Sequence, residues 1–133
     1  MLKILFFNTG KIPRADEIET LLDERLKPID DLQLIFCRDF AGLSGHMSLH
    51  PEDFQVVVVL VSDELELHTL LELGELFEDV ELIVILPRED PESINKAHLL
   101  APRFLAILDN NIDDLLGILK KKIHLSKKEK GPM

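Results

Sequence analysis

The sequence predicts a three-layer α/β fold, a five-stranded parallel sheet with helices on both faces. Two observations carry this. Five short apolar runs recur along the chain: Leu2–Phe7, Leu32–Cys37, Val56–Val61, Leu82–Leu86 and Phe104–Leu108. Between them lie segments of helical period, or a loop long enough to cross back, which is the alternation that builds parallel sheets. The clearest runs are nearly continuous rather than alternating, the pattern of strands covered on both faces. In such sheets ligands and chemistry gather at the C-terminal strand ends. Here those ends read Asn8-Thr9, Ser62-Asp63, Pro87 and Asp109.

The elements follow in order. Leu2–Phe7 is closed by Asn8-Thr9-Gly10, and Ala15–Leu26 then carries Ile18, Leu21, Leu22 and Leu26 at helical spacing. Pro28 stops that helix. After Leu32–Cys37, the stretch Arg38–Asp53 holds Gly42, Gly45 and Pro51 with no sustained helical period. Glycine and proline disfavour helix interiors, so the second helix is expected to be degenerate or replaced by a loop. Val56–Val61 is five valines and one leucine, which predicts the central strand. Glu64–Asp79 reads as one helix whose apolar residues cover an arc of about 240° at 100° per residue, wider than a one-sided stripe. Leu65, Leu73 and Leu76 lie on that arc and are candidate interface residues. Leu82–Leu86 ends at Pro87, and Pro91–Leu100 reads as a short helix with proline in its first turn. Asn111–His124 closes the domain, with Asp113 and Asp114 in its first turn and Lys120–Lys122 near its end, as the helix dipole favours.

A chain of 133 residues is one domain by length, here residues 1–125, and 46% hydrophobic residues supply its core. Ser126–Met133 is expected to be a disordered basic tail. No apolar run approaches the ~20 residues of a membrane-spanning helix, and no leader with a cleavage site is visible. The single cysteine, Cys37, allows no internal disulfide and fits a reducing cytoplasm. Net charge is −10, unevenly spread. Residues 120–133 hold six lysines and one acid, a net of +5, which leaves −15 on the rest. An acidic body repels phosphate backbones, so neither nucleic acid nor membrane is an expected partner.

Three pieces, in this order and spacing, resemble the receiver domain of two-component response regulators, which has a flavodoxin-like (βα)5 fold. Lys3-Ile4-Leu5-Phe6-Phe7-Asn8-Thr9 resembles a receiver's first strand, with Asn8-Thr9 where the family has an acidic pair. Val59-Leu60-Val61-Ser62-Asp63 resembles the third strand, ending in the phosphoacceptor aspartate. Asp109-Asn110-Asn111-Ile112-Asp113-Asp114-Leu115-Leu116 resembles the lysine-proline turn before the last helix. The resemblance implies a signalling fold, and the residues depart from its chemistry. Phosphotransfer to aspartate needs a divalent cation, and magnesium wants carboxylate ligands that Asn8 and Thr9 do not offer. The family's hydroxyl and lysine positions hold Pro87 and Asp109. Asp109 would repel a phosphorylated Asp63. Asp63 itself also reads as a helix N-cap.

Other candidates are weaker. Asn8, Thr9, Gly10 and Lys11 form a short turn that could cradle an anion, and Thr9-Gly10 faintly resembles a flavodoxin phosphate loop. No Trp or Tyr is present to stack on a flavin. His46 and His50 are four apart, but Gly45 and Pro51 flank them, so loop histidines rather than a zinc site are expected. Cys37 reads as a buried small hydrophobe. The expectation is therefore a non-enzymatic pseudo-receiver without cofactor, metal or small-molecule ligand, which acts through a protein partner or a homodimer. Two alternatives stay open: a ligand- or phosphate-binding flavodoxin-like protein using Asn8–Lys11, and a divergent active receiver phosphorylated at Asp63.

Overall fold

The computed structural model describes residues 2–12, 15–26, 32–49, 54–108, 113, 114 and 116–121. The elements run β1 (Leu2–Phe7), α1 (Ala15–Leu26), β2 (Leu32–Cys37), α2 (Phe40–Leu49), β3 (Val56–Leu60), α3 (Glu64–Glu72), a 3-10 turn (Gly74–Phe77), β4 (Glu81–Leu86), α4 (Pro91–His98) and β5 (Phe104–Ile107). Residues 116–121 are helical. All strand pairs are parallel, in the order β2-β1-β3-β4-β5. This is the predicted three-layer flavodoxin-like fold. β3 is central, and each of its five residues is buried.

The period of two along the strands builds two cores from one sheet. Ile4, Phe6, Val56, Val58 and Leu60 face α1 and the C-terminal helical residues, packing with Ile18, Leu22, Leu26, Leu116 and Leu119. Leu5, Phe7, Val57, Val59 and Val61 face the other way, toward Leu43, Met47, Leu67, Leu70, Phe77 and Ala97. A run of consecutive apolar residues is needed because both faces are covered.

Two expectations are corrected. The second helix is neither degenerate nor a loop: α2 is a regular ten-residue helix. Asp39 Oδ1 accepts the Gly42 N–H at 2.6 Å, a cap that starts the helix. Leu43 and Met47, four apart, are its buried residues, and Phe40 meets the Phe7 ring at 4.9 Å. Gly42 is required by closeness, since a Cβ there would lie 3.0 Å from both Asp39 Oδ1 and Cys37 Sγ. Two anchoring side chains and a cap outweigh glycine costs of about 1 kcal/mol each. The stretch Glu64–Asp79 is not one helix either. α3 ends at Glu72, and the chain tightens into the 3-10 turn from Gly74. The segment therefore has no single helical axis for a 240° arc. Leu71, Leu73, Leu76 and Phe77 pack against the second core, and only Leu65, 69% exposed, stands clear.

Candidate functional site

The sheet order changes direction between β1 and β3, because the chain passes from β1 outward to β2 and then back across to β3. That switch point opens a crevice at the C-terminal strand ends. Asn8 and Thr9 leave β1 there, and Ser62 and Asp63 follow β3.

Asn8 is 1% exposed, and its side chain is fully engaged. Its Oδ1 accepts the Gly10 N–H at 2.7 Å, and its Nδ2 donates to Glu19 Oε1 on α1 at 2.6 Å. Gly10 sits at φ +82°, a left-handed conformation that the tight turn requires and glycine adopts without strain. Glu19 Oε2 in turn accepts from Arg38 Nη2 at 2.6 Å, just after β2. Burial pushes the Glu19 carboxyl above its ordinary value, against the opposing pull of the Arg38 guanidinium. The Asn8 amide is thus a joint between β1, α1 and the end of β2.

The other half of the crevice is organised by a residue that sequence reasoning missed. Glu66, in the first turn of α3, is only 2% exposed. Its Oε2 accepts the Thr9 hydroxyl at 2.5 Å, and its Oε1 accepts the Ser62 N–H at 2.9 Å. Asp63 caps α3, with Oδ1 accepting the Glu66 N–H at 2.9 Å. A carboxylate three residues after an aspartate cap is the capping-box spacing, so the signal was present in the sequence. Here Glu66 reaches back one residue further, to the Ser62 N–H. Lys11 completes the group. Its Nζ lies 3.5 Å from Glu66 Oε2 and 3.7 Å from Asp63 Oδ2. Three of the candidate residues, Thr9, Lys11 and Asp63, therefore meet the unforeseen Glu66 at one point.

A second opening flanks Asp63 between the ends of β3 and β4. It is a cleft of about 240 Å³ lined by Ser62, Asp63, Pro87, Arg88, Asp90 and Ser93, among others. Ser93 Oγ donates to Asp90 Oδ2 at 2.8 Å, and Pro87 contributes no side-chain donor. Lys96 Nζ meets Glu64 Oε1 at 2.6 Å and ties α4 to α3, a bond that raises the lysine pKa.

The remaining candidates bring no chemistry together. Cys37 Sγ donates to the Asp39 carbonyl at 3.4 Å, and burial pushes the thiol pKa up, away from an activated thiolate. The His46 ring packs edge-on to Phe54. His50, Asp109 and residues 122–133 lie outside the described residues, as does most of the turn before the last helix. Among the described residues no group of three or more His, Cys, Asp or Glu could hold a metal ion. None of their helices is long and apolar enough to cross a membrane.

No family model and no curated protein match this chain. Solved structures do. A pilus assembly-related protein from Burkholderia pseudomallei is similar at a TM-score of 0.67 and 14% identity, covering 91% of this chain and 88% of that one. A response regulator from Thermotoga maritima is similar at 0.66 and 18%, covering 91% and 96%. The beryllofluoride-activated DrrB receiver domain is similar at 0.60 and 21%, covering 93% and 98%. The chain has a receiver-like fold.

Proposed function

We propose that this chain is a non-catalytic pseudo-receiver, a signalling or regulatory module of the cytoplasm that is not phosphorylated and works by binding protein. Fold alone does not decide this, since the same architecture serves proteins described as response regulators and as pilus assembly-related. The observation that carries the reading is the fate of the strand-end polar groups. Asn8 bonds Glu19 and Gly10, Thr9 bonds Glu66, and Asp63 caps α3 while facing Lys11. An attacking carboxylate needs a free oxygen and a cation beside it to offset developing charge. Here the cation beside the second Asp63 oxygen is a lysine ammonium and not a divalent ion, and Asn8 and Thr9 offer no carboxylate to hold one.

The anion-loop alternative draws less support. The Gly10 N–H already donates to Asn8, and the Lys11 ammonium is held by two carboxylates. Both of these donors are thus engaged within the chain. For the protein partner, the exposed Leu65 in the first turn of α3 offers an apolar contact beside the crevice, with the half-buried Leu73 and Leu76 further along. Incubation with acetyl phosphate and magnesium, followed by intact-mass and peptide mass spectrometry, tests the reading. No phosphoryl adduct is expected. A stoichiometric adduct on Asp63 would replace it with the active-receiver alternative.

A further inference from the structure

We propose that the Lys11 ammonium is a tethered cation, seated between Asp63 and Glu66 where a divalent ion would otherwise be drawn. The charge of the crevice is then set by a side chain of the chain itself and not by bound metal. The inference rests on the reading that Asp63 is not a phosphoacceptor, and it goes further by assigning the residue that closes the site.

Two carboxylate oxygens from different residues converge on one nitrogen, Glu66 Oε2 at 3.5 Å and Asp63 Oδ2 at 3.7 Å. Their other oxygens are committed elsewhere, to the Ser62 N–H and to the Glu66 N–H. The Thr9 hydroxyl reaches the same Glu66 oxygen and lies 3.4 Å from Ser62 Oγ. Hard oxygens around one or two carboxylates are what magnesium or manganese takes, with water completing the shell. Glu66 is 2% exposed, and a carboxylate so buried needs a counter-charge. Lys11 supplies it from the solvent side, its own side chain 56% exposed. The contact crosses the switch point, from the loop after β1 to the start of α3. The ammonium therefore also fastens the two halves of the crevice together.

The test is a manganese titration, read by electron paramagnetic resonance of free Mn²⁺, on the wild type and on Lys11→Met. The methionine keeps the apolar stem and removes the charge. The wild type should show no saturable binding. Lys11→Met should bind Mn²⁺ at least tenfold more tightly than the wild type, with magnesium competing. Lys11→Arg should behave as wild type, and adding Glu66→Gln to Lys11→Met should abolish the gain. If Lys11→Met does not fold in metal-free buffer, manganese or magnesium should restore its circular dichroism in a saturable way. A folded Lys11→Met without the gain, an unfolded one that metal does not rescue, or a wild type that binds as tightly as the variant would each overturn the proposal. A phosphoryl adduct on wild-type Asp63 would remove the functional reading on which it rests. A missing gain with no such adduct overturns the tethered cation alone.

Discussion

The crevice between β1 and β3 and the cleft between β3 and β4 lie side by side at the same edge of the sheet, with Asp63 shared between them. They differ in what their polar groups are doing. In the crevice, Asn8, Thr9, Glu66 and Lys11 bond one another or their supporting elements. In the cleft, Ser93 bonds Asp90, but Arg88 is exposed and Pro87 has nothing to donate. At the switch point the polar residues Asn8, Thr9 and Glu66 join neighbouring elements to one another. Polar residues at a functional address can be structural, and burial with saturated bonding distinguishes the two.

That contrast is open to breaking, beginning with the largest effect. Glu66→Ala should destabilise the protein by about 2–3 kcal/mol, because it strands the Ser62 N–H and the Thr9 hydroxyl away from their acceptor. Urea denaturation gives the number, and a loss below about 0.5 kcal/mol would mean that the crevice is not a joint. Asn8→Ala should follow at about 1–3 kcal/mol, since it leaves Glu19 and the Gly10 N–H without their buried partner. Asp63→Ala should cost about 1 kcal/mol as a lost N-cap, whereas Asp63→Asn, which keeps a capping oxygen, should cost only a few tenths. An equal loss in both would make the Asp63 charge, and not its cap, the stabilising feature. Arg88→Ala, in the cleft, should stay within about 0.5 kcal/mol of wild type. A larger loss would show the cleft to be as structural as the crevice.

Proton linkage sharpens the same comparison. Burial raises the folded-state pKa of Glu19 above its ordinary 4.5. Between the unfolded and folded values the folded protein holds more protons, so stability falls as pH rises through that window. Glu19→Gln should flatten the stability profile just above pH 4.5. A series of denaturation midpoints from pH 4 upward reads this, and an unchanged slope would place the linkage elsewhere.

The sheet was legible because Val56–Leu60 is apolar at every position and its neighbours β1 and β4 nearly so, as strands covered on both faces require. The second helix was not, because it buries through just Leu43 and Met47, and its glycines hide a stripe that narrow. Its cap, Asp39, was there to be read. Glu66 was hidden by its setting: in Glu64-Leu65-Glu66-Leu67 an acid looks like the solvated face of a helix. Only the capping spacing from Asp63 hinted otherwise. The meeting of Lys11 with Asp63 and Glu66 had no local signal at all. It exists because β1 and β3 are neighbours with aligned C-terminal ends, Phe7 opposite Val59. The break at Gly74, where α3 gives way to the 3-10 turn, had no clear signal, and Leu73 and Leu76 are half-buried rather than exposed.

On the proposed reading, this receiver-like crevice does not assemble a phosphoryl site. Beryllofluoride activates one similar receiver domain and so is a direct probe of that assembly. Fluorine-19 NMR of the wild-type protein in magnesium and excess beryllofluoride should show free fluoroberyllates alone. A set of protein-bound fluorine resonances that disappears in Asp63→Asn would contradict the account.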